Sequence, residues 1–234
     1  MIRTDELFVN NLKIYQDADN FCFGTDSLLL AQFSFKKKTT AMCDLCTGTG
    51  VLPLLASAHT KSEKTYGVEI SPQTAELAKK SVSLNNLEDR VEIINGDIRY
   101  IKEFLPNAMF DLVTANPPYM PQNSGFLSDI KRRTARAETD CTPSDICTAA
   151  RYLLKNKGRL CVVYRADRLT ELFESMKKNG IEPKRLLTVQ SKPENDPYVI
   201  LCEGIVGGSP GLKIEKPLVI NNGENRWSYL NAAK

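Results

Sequence analysis

The sequence has no long hydrophobic run. No stretch approaches the roughly 18 apolar residues needed to cross a bilayer, which excludes a membrane-spanning helix. The opening MIRTDELFVNNLK lacks a basic segment followed by an apolar core, so no signal peptide is expected. Neither charge sign dominates: 31 Lys and Arg stand against 28 Asp and Glu, a net charge of +3. Total charge therefore neither announces nor forbids nucleic acid. Internal repeats and low-complexity tracts are absent, and 42% hydrophobic with 25% charged residues excludes a disordered or fibrous chain. Histidine is almost missing, with His59 alone. Cys43 and Cys46 form a C-x-x-C, but no second such pair exists and His59 stands well away, so a metal centre is poorly supported.

What is present fits one globular core. A chain of 234 residues buries roughly 70–75% of its unfolded surface and needs no staples. Seven cysteines, Cys22, Cys43, Cys46, Cys141, Cys147, Cys161 and Cys202, are an odd number. Most of them read as reduced, buried small side chains in a reducing cytoplasm.

Residues 1–40 read as a prelude packing on the core formed by residues 41–234. Leu7–Val9 and Leu12–Tyr15 flank Asn10-Asn11, a hairpin turn signal. Asp26–Phe33 reads as a helix with Asp26 as its N-cap, and Lys36-Lys37-Lys38 as a solvated joint. From Ala41 strands and helices alternate. Strands are expected at Ala41–Leu45, Tyr66–Ile70, Val91–Ile94, Phe110–Ala115, Leu160–Tyr164, Leu186–Gln190 and Tyr198–Glu203. Helices are expected at Val51–Ala58, Gln73–Leu84 (Ser71 as N-cap, Pro72 first), Ile98–Phe104, Ser144–Leu154 and Leu169–Lys178. Such alternation predicts an α/β fold: a Rossmann-like, seven-stranded, mostly parallel sheet with helices on both faces. The last two strands have no helix between them, so the final one should be antiparallel. Leu218–Ile220 is a possible edge strand.

Asp44-Leu45-Cys46-Thr47-Gly48-Thr49-Gly50 follows the first core strand and opens a helix. In open α/β sheets ligands bind at the carboxyl ends of strands, and glycines let the backbone turn tightly against them. Glu69 ends the next strand, nineteen residues after Gly50, where a carboxylate can accept from both hydroxyls of a ribose. A dinucleotide site needs G-x-G-x-x-G for its pyrophosphate. The order here is D-x-C-x-G-x-G, and an acid ahead of the glycines suits a cationic amino group better than an anion. S-adenosylmethionine carries such a group and a ribose, but no phosphate. An incidental glycine turn is the competing reading. Asp97, after the third strand, fits either an adenine-amine acceptor with Ile98 against the ring, or a plain helix cap.

Asn116-Pro117-Pro118-Tyr119 ends the fourth strand. Pro117 biases Asn116 toward an extended backbone, and the two prolines fix φ and remove two donors. What remains is a rigid rim of acceptors, the Asn116 side-chain oxygen and the Pro117 carbonyl. Two acceptors can bind both hydrogens of a planar amine and aim its lone pair at a methyl donor. Tyr119 offers a flat face for stacking a base. Catalysis would then be positioning and electrostatics. A turn that merely ends a strand is the alternative.

With these motifs the sequence resembles the class I S-adenosylmethionine-dependent amino-methyltransferases. The fuller match looks like the bacterial tRNA(Val) adenine-N6 methyltransferases. The resemblance includes Phe23-Gly24-Thr25-Asp26-Ser27-Leu28-Leu29-Leu30, Ala135-Arg136-Ala137-Glu138 and Lys184-Arg185-Leu186. Cys46 stands where the family has a glycine, and Glu224-Asn225-Arg226-Trp227-Ser228-Tyr229 matches the family's C-terminal signature poorly. The resemblance implies S-adenosylmethionine as cofactor. It implies cofactor contacts from Gly24, Thr25, Asp26, Asp44, Cys46, Thr47, Gly48, Gly50, Glu69, Ile70, Asp97, Ile98 and Asn116. Asn116, Pro117, Pro118 and Tyr119 would be catalytic. The implied substrate is RNA, with a tRNA favoured, methylated on the exocyclic amine of an adenine.

Charge is unevenly placed. Lys131 to Arg185 carries fourteen basic and seven acidic residues, so a balance of +7 there is offset by −4 elsewhere. Lys131, Arg132, Arg133 and Arg136 follow the catalytic loop directly and suit a phosphate backbone, although a solvated loop would look the same. A protein glutamine amide methyltransferase acting on release factors shares N-P-P-Y, since an amide is also a planar amine. Those enzymes usually carry a helical domain ahead of the core, and forty residues are too few for one.

Overall fold

The computed structural model describes residues 1–7, 9–17, 22–60, 62–118 and 141–220. A hairpin of β1 (Ile2–Glu6) and β2 (Lys13–Asp17) leads into α1 (Thr25–Ser34). The core follows as β3 (Ala41–Leu45), α2 (Val51–His59), β4 (Lys64–Glu69), α3 (Pro72–Leu84), β5 (Val91–Asn95), a 3-10 turn (Ile98–Glu103) and β6 (Phe110–Ala115). Then come α4 (Pro143–Leu153), β7 (Leu154–Arg165), α5 (Leu169–Lys178), β8 (Ile181–Gln190), β9 (Val199–Val206), β10 (Lys213–Ile214) and β11 (Leu218–Val219).

Among the described residues the main sheet has nine strands, in the order β10-β8-β9-β7-β6-β3-β4-β5, with β11 also on β8. The expected seven strands form its body. The additional two come from β10 and β11, each two residues long and both parallel to β8. β9 inserts between β7 and β8 and is antiparallel to both, as a strand joined to its predecessor without a helix should be.

Both sheet faces are covered, which explains why the strands read as nearly unbroken apolar runs. Alternate residues enter opposite layers. Met42, Leu112, Cys161 and Val163 pack with α1, α2 and α3. Cys43, Leu45, Val113, Leu160 and Val162 pack with α4, α5 and the 3-10 turn. Leu7, Leu12 and Ile14 of the hairpin region join the first layer.

Several local expectations need correction. The first hairpin strand is Ile2–Glu6 rather than Leu7–Val9. Asn10 and Asn11 do make the turn, both with left-handed φ (49° and 56°), but the strand ahead of it is charged and exposed and gave no pattern to read. Asp26 is not the N-cap of α1. Gly24 holds that position and Asp26 lies in the first turn. Lys37 is more than a solvated joint, because its ammonium sits 2.6 Å from the buried carboxylate of Glu203. β7 begins six residues early and β8 five. Pro183, lacking a donor, lies where the β8–β9 register shifts, which is where a sheet tolerates proline.

Candidate active site

Four parallel strands, β6, β3, β4 and β5, end on one edge. Leu45 is paired with both Ala115 and Val68, and Glu69 with Asn95. This register brings the residues after each strand to a common rim. The turn 46–50 opens next to Glu69, and Asn116 follows Ala115 directly.

The turn is held tightly. The Thr47 N–H donates to the Val68 carbonyl at 3.0 Å and the Gly50 N–H to the Thr47 carbonyl at 3.0 Å. Glu69 grips it through a side chain that is nearly buried. One carboxylate oxygen accepts from the Gly48 N–H at 2.8 Å, the other from the Ser71 N–H at 3.0 Å. Cys46, Gly48 and Gly50 all have left-handed φ, of 58°, 57° and 88°. Glycine adopts that region freely, which is why Cys46 is the unusual residue of the three. Its Sγ lies 3.8 Å from Cys141 Sγ. That contact and burial raise the Cys46 thiol well above its ordinary range.

Asp44 is buried one residue before the end of β3 and accepts from the Thr114 hydroxyl at 2.6 Å. Burial pushes its pKa up to about 7, the Thr114 hydrogen bond opposes this, and the charge of Glu69 adds to it. Among the described residues no cation stands beside it to hold it ionised. Asp97 caps the 3-10 turn through the Arg99 N–H at 2.9 Å and pairs side-on with the Arg99 guanidinium, which holds its carboxyl below the usual range. Ile98 is buried in the second layer. Ile70, Gly24, Thr25 and Asp26 are half-buried.

Asn116 is half-buried, Pro117 buried and Pro118 exposed. The Asn116 Nδ2 donates to Ser27 Oγ of α1 at 2.8 Å. Tyr119, Lys131, Arg132, Arg133 and Arg136 lie outside the described residues. Two contacts escaped the sequence reading, Thr114 on Asp44 and Ser27 on Asn116. Thr114 is a lone hydroxyl in an otherwise apolar stretch and Ser27 stands where an apolar run begins, which was the available signal.

The rim suits S-adenosylmethionine. Among the described residues a Cβ built on Gly48 or Gly24 meets nothing within 4 Å, which leaves room beside the glycine turn and the start of α1. Asp44 and Glu69 bring two carboxyl groups to this rim. No helix among the described residues is long and apolar enough to cross a membrane.

The family model described as N-6 DNA Methylase matches residues 5–189. A tRNA1(Val) (adenine(37)-N6)-methyltransferase of Porphyromonas gingivalis is 30% identical over 186 residues, 77% of this chain and 72% of that one. One of the same name from Tolumonas auensis is 26% identical over 216 residues, 92% of this chain and 88% of that one. A crystal structure from Agrobacterium tumefaciens, described as a predicted O-methyltransferase, superposes with a TM-score of 0.70 at 21% identity, covering 89% of this chain and 96% of that one. By fold, rim and sequence, the chain belongs to the N6-methylase family of S-adenosylmethionine-dependent methyltransferases, within its tRNA1(Val) adenine-N6 group.

Proposed function

We propose that this protein methylates the exocyclic amine of an adenine in a cytoplasmic tRNA. The observation that carries the reading is Asn116-Pro117-Pro118 at the end of β6, on the same rim as the glycine turn, Asp44 and Glu69. Relatives named as tRNA1(Val) adenine-N6 methyltransferases support tRNA as the substrate.

When bound, S-adenosylmethionine supplies a methyl group on a positively charged sulfur. Glu69, oriented by two backbone N–H groups, accepts from the ribose hydroxyls in this reading. Asp44 offers its negative charge toward an ammonium or sulfonium. Asn116 Oδ1 and the Pro117 carbonyl accept the two hydrogens of the target amine, which frees the nitrogen lone pair for attack. Transfer would form the N–C bond as the methyl–sulfur bond breaks and the sulfonium leaves as a neutral thioether; the nitrogen becomes acidic as it gains the methyl group and its proton passes to water, so no strong base is required. The contribution of this chain is orientation and charge. Tyr119 supplies the stacking face, and Lys131, Arg132, Arg133 and Arg136 supply contacts to phosphates. An adenine in folded RNA must first be splayed out of its stack.

The test is transfer of labelled methyl from S-adenosylmethionine to total tRNA from a strain lacking the gene, with a release factor as the parallel substrate. Label in tRNA, and in adenine after digestion, is the expected result. Label confined to the protein substrate refutes the reading. Asn116→Ala should abolish transfer while calorimetry shows cofactor affinity kept.

A further inference from the structure

The prelude meets the catalytic rim in the contact between Ser27 and Asn116, whose direction carries chemical meaning. Asn116 has one face of its amide that donates and one that accepts, and only the accepting oxygen can bind an amine hydrogen. The Asn116 Nδ2 donates to Ser27 Oγ at 2.8 Å, across 89 positions of sequence. Among the described residues Oδ1 accepts nothing.

We propose that Ser27 is a positioning residue that fixes the Asn116 amide with its oxygen toward the substrate. The inference rests on the role assigned to Asn116 above. Ser27 itself touches neither ligand. It is buried in α1 between Asp26 and an apolar run, Leu28-Leu29-Leu30, that is wholly buried in the first layer, so its backbone is held in place. The helix start is anchored in turn. The Phe23 N–H donates at 2.9 Å to the side-chain oxygen of Gln16, a buried residue of β2 whose amide nitrogen donates to Asp5 of β1. The hairpin thus holds the entry to α1, α1 holds Ser27, and Ser27 orients Asn116. With Ser27 removed, the amide loses the partner that holds its plane and is free to turn its N–H groups toward the amine, which they repel.

The experiment compares Ser27→Ala and Ser27→Cys with the unaltered full-length protein and with Asn116→Ala. Cysteine fills the same space but accepts hydrogen bonds poorly, so it serves if alanine disturbs packing. The readouts are kcat with the tRNA substrate, cofactor Kd by calorimetry, and the side-chain amide resonance of Asn116, assigned by its loss in Asn116→Ala. The expected result for Ser27→Ala and Ser27→Cys is a kcat reduced about tenfold, the scale of one lost hydrogen bond. Cofactor Kd should stay within about twofold and the Asn116 amide should exchange faster with solvent. Unchanged kcat and amide exchange in both variants, with Asn116→Ala inactive, overturns the role of Ser27 alone. Cofactor Kd weakening in step with kcat also overturns it, since that marks a general loss of structure. Full activity in Asn116→Ala overturns the underlying reading of the site.

Discussion

Substituting Asp44 by Asn should flatten the dependence of stability on pH. Asp44 is buried and its carboxyl is pushed up to about 7 by burial. An unfolded Asp titrates near about 3.9. Between these values the folded protein binds a proton that the unfolded chain has lost. The stabilisation this gives is complete below the unfolded pKa and is lost as pH rises through about 7. A shift of about 3 units corresponds to ~4 kcal/mol over the full range, of which ~2–3 kcal/mol falls between about pH 5 and pH 8. Asn keeps the volume and an acceptor for the Thr114 hydroxyl, now 2.6 Å from Asp44. Its amide adds a donor pair that changes stability by a constant offset, but offsets do not alter the slope. Urea unfolding of cofactor-free protein at pH 5, 6, 7 and 8 gives the comparison. The difference, Asp44→Asn minus wild type, should grow by about 2–3 kcal/mol toward pH 8. Cofactor affinity provides an independent readout. If the ionised carboxylate favours a cationic ligand, wild-type affinity should rise about tenfold from pH 5.5 to 7, where an α-ammonium stays protonated. The variant should show no such rise. Parallel stability profiles for the two proteins would refute the premise that Asp44 is protonated in the folded state.

Gly67→Ala should damage the cofactor turn from beneath, because a Cβ there stands 2.9 Å from Ile93 Cδ1 and from both γ atoms of Thr47. A cost of about 1–3 kcal/mol in urea unfolding is expected, with weaker cofactor binding by equilibrium dialysis. Glu203→Gln should cost about 3–5 kcal/mol in the same unfolding assay, since it strips the counter-charge from the largely buried guanidinium groups of Arg159 and Arg185. Arg132→Glu with Arg133→Glu should weaken tRNA binding and make it less sensitive to salt in filter binding, with free cofactor affinity unaltered. Unchanged RNA affinity would mark that segment as a bystander.

The core was legible because both of its faces are covered. Strands such as Phe110–Ala115 read as apolar runs, and Asn116-Pro117-Pro118 and Gly48-Thr49-Gly50 mark where they stop. β1 was illegible for the opposite reason. Ile2–Glu6 is exposed and charged, and only its pairing to Lys13–Asp17 makes it a strand. The polar starts of β7 and β8 hid those strands in the same way. For the site, residue types were legible and their partners were not. Asp97 with Arg99 is a local pair, but Ser27 with Asn116 and Lys37 with Glu203 are joined by the fold across 89 and 166 positions. Sequence spacing carries no trace of such contacts.

Two buried acids in the same sheet show what separates a structural charge from a functional one. Glu203 is surrounded by Lys37 at 2.6 Å, Arg159 at 2.9 Å and Arg185 at 3.4 Å. Burial alone would raise its pKa, yet these cations hold it below the usual carboxylate range. The same guanidinium groups cap the end of α1, donating to the Ser34 and Phe33 carbonyls at 3.2 Å and 2.7 Å. The charge is neutralised within the chain, and its effect is to fasten α1 to β7, β8 and β9. Asp44 is as deeply buried, but among the described residues no cation faces it, and its pKa rises to about 7. A buried carboxylate left without a counter-ion is costly. Replacing Asp44 by a neutral residue relieves that cost, so stability does not account for an acid there. That agrees with the proposal that Asp44 faces a positively charged ligand at the strand ends, which would supply a counter-charge. The same reasoning makes α1 more than packing, for the helix fastened at one end by Glu203's cations is the helix that carries Ser27 to Asn116.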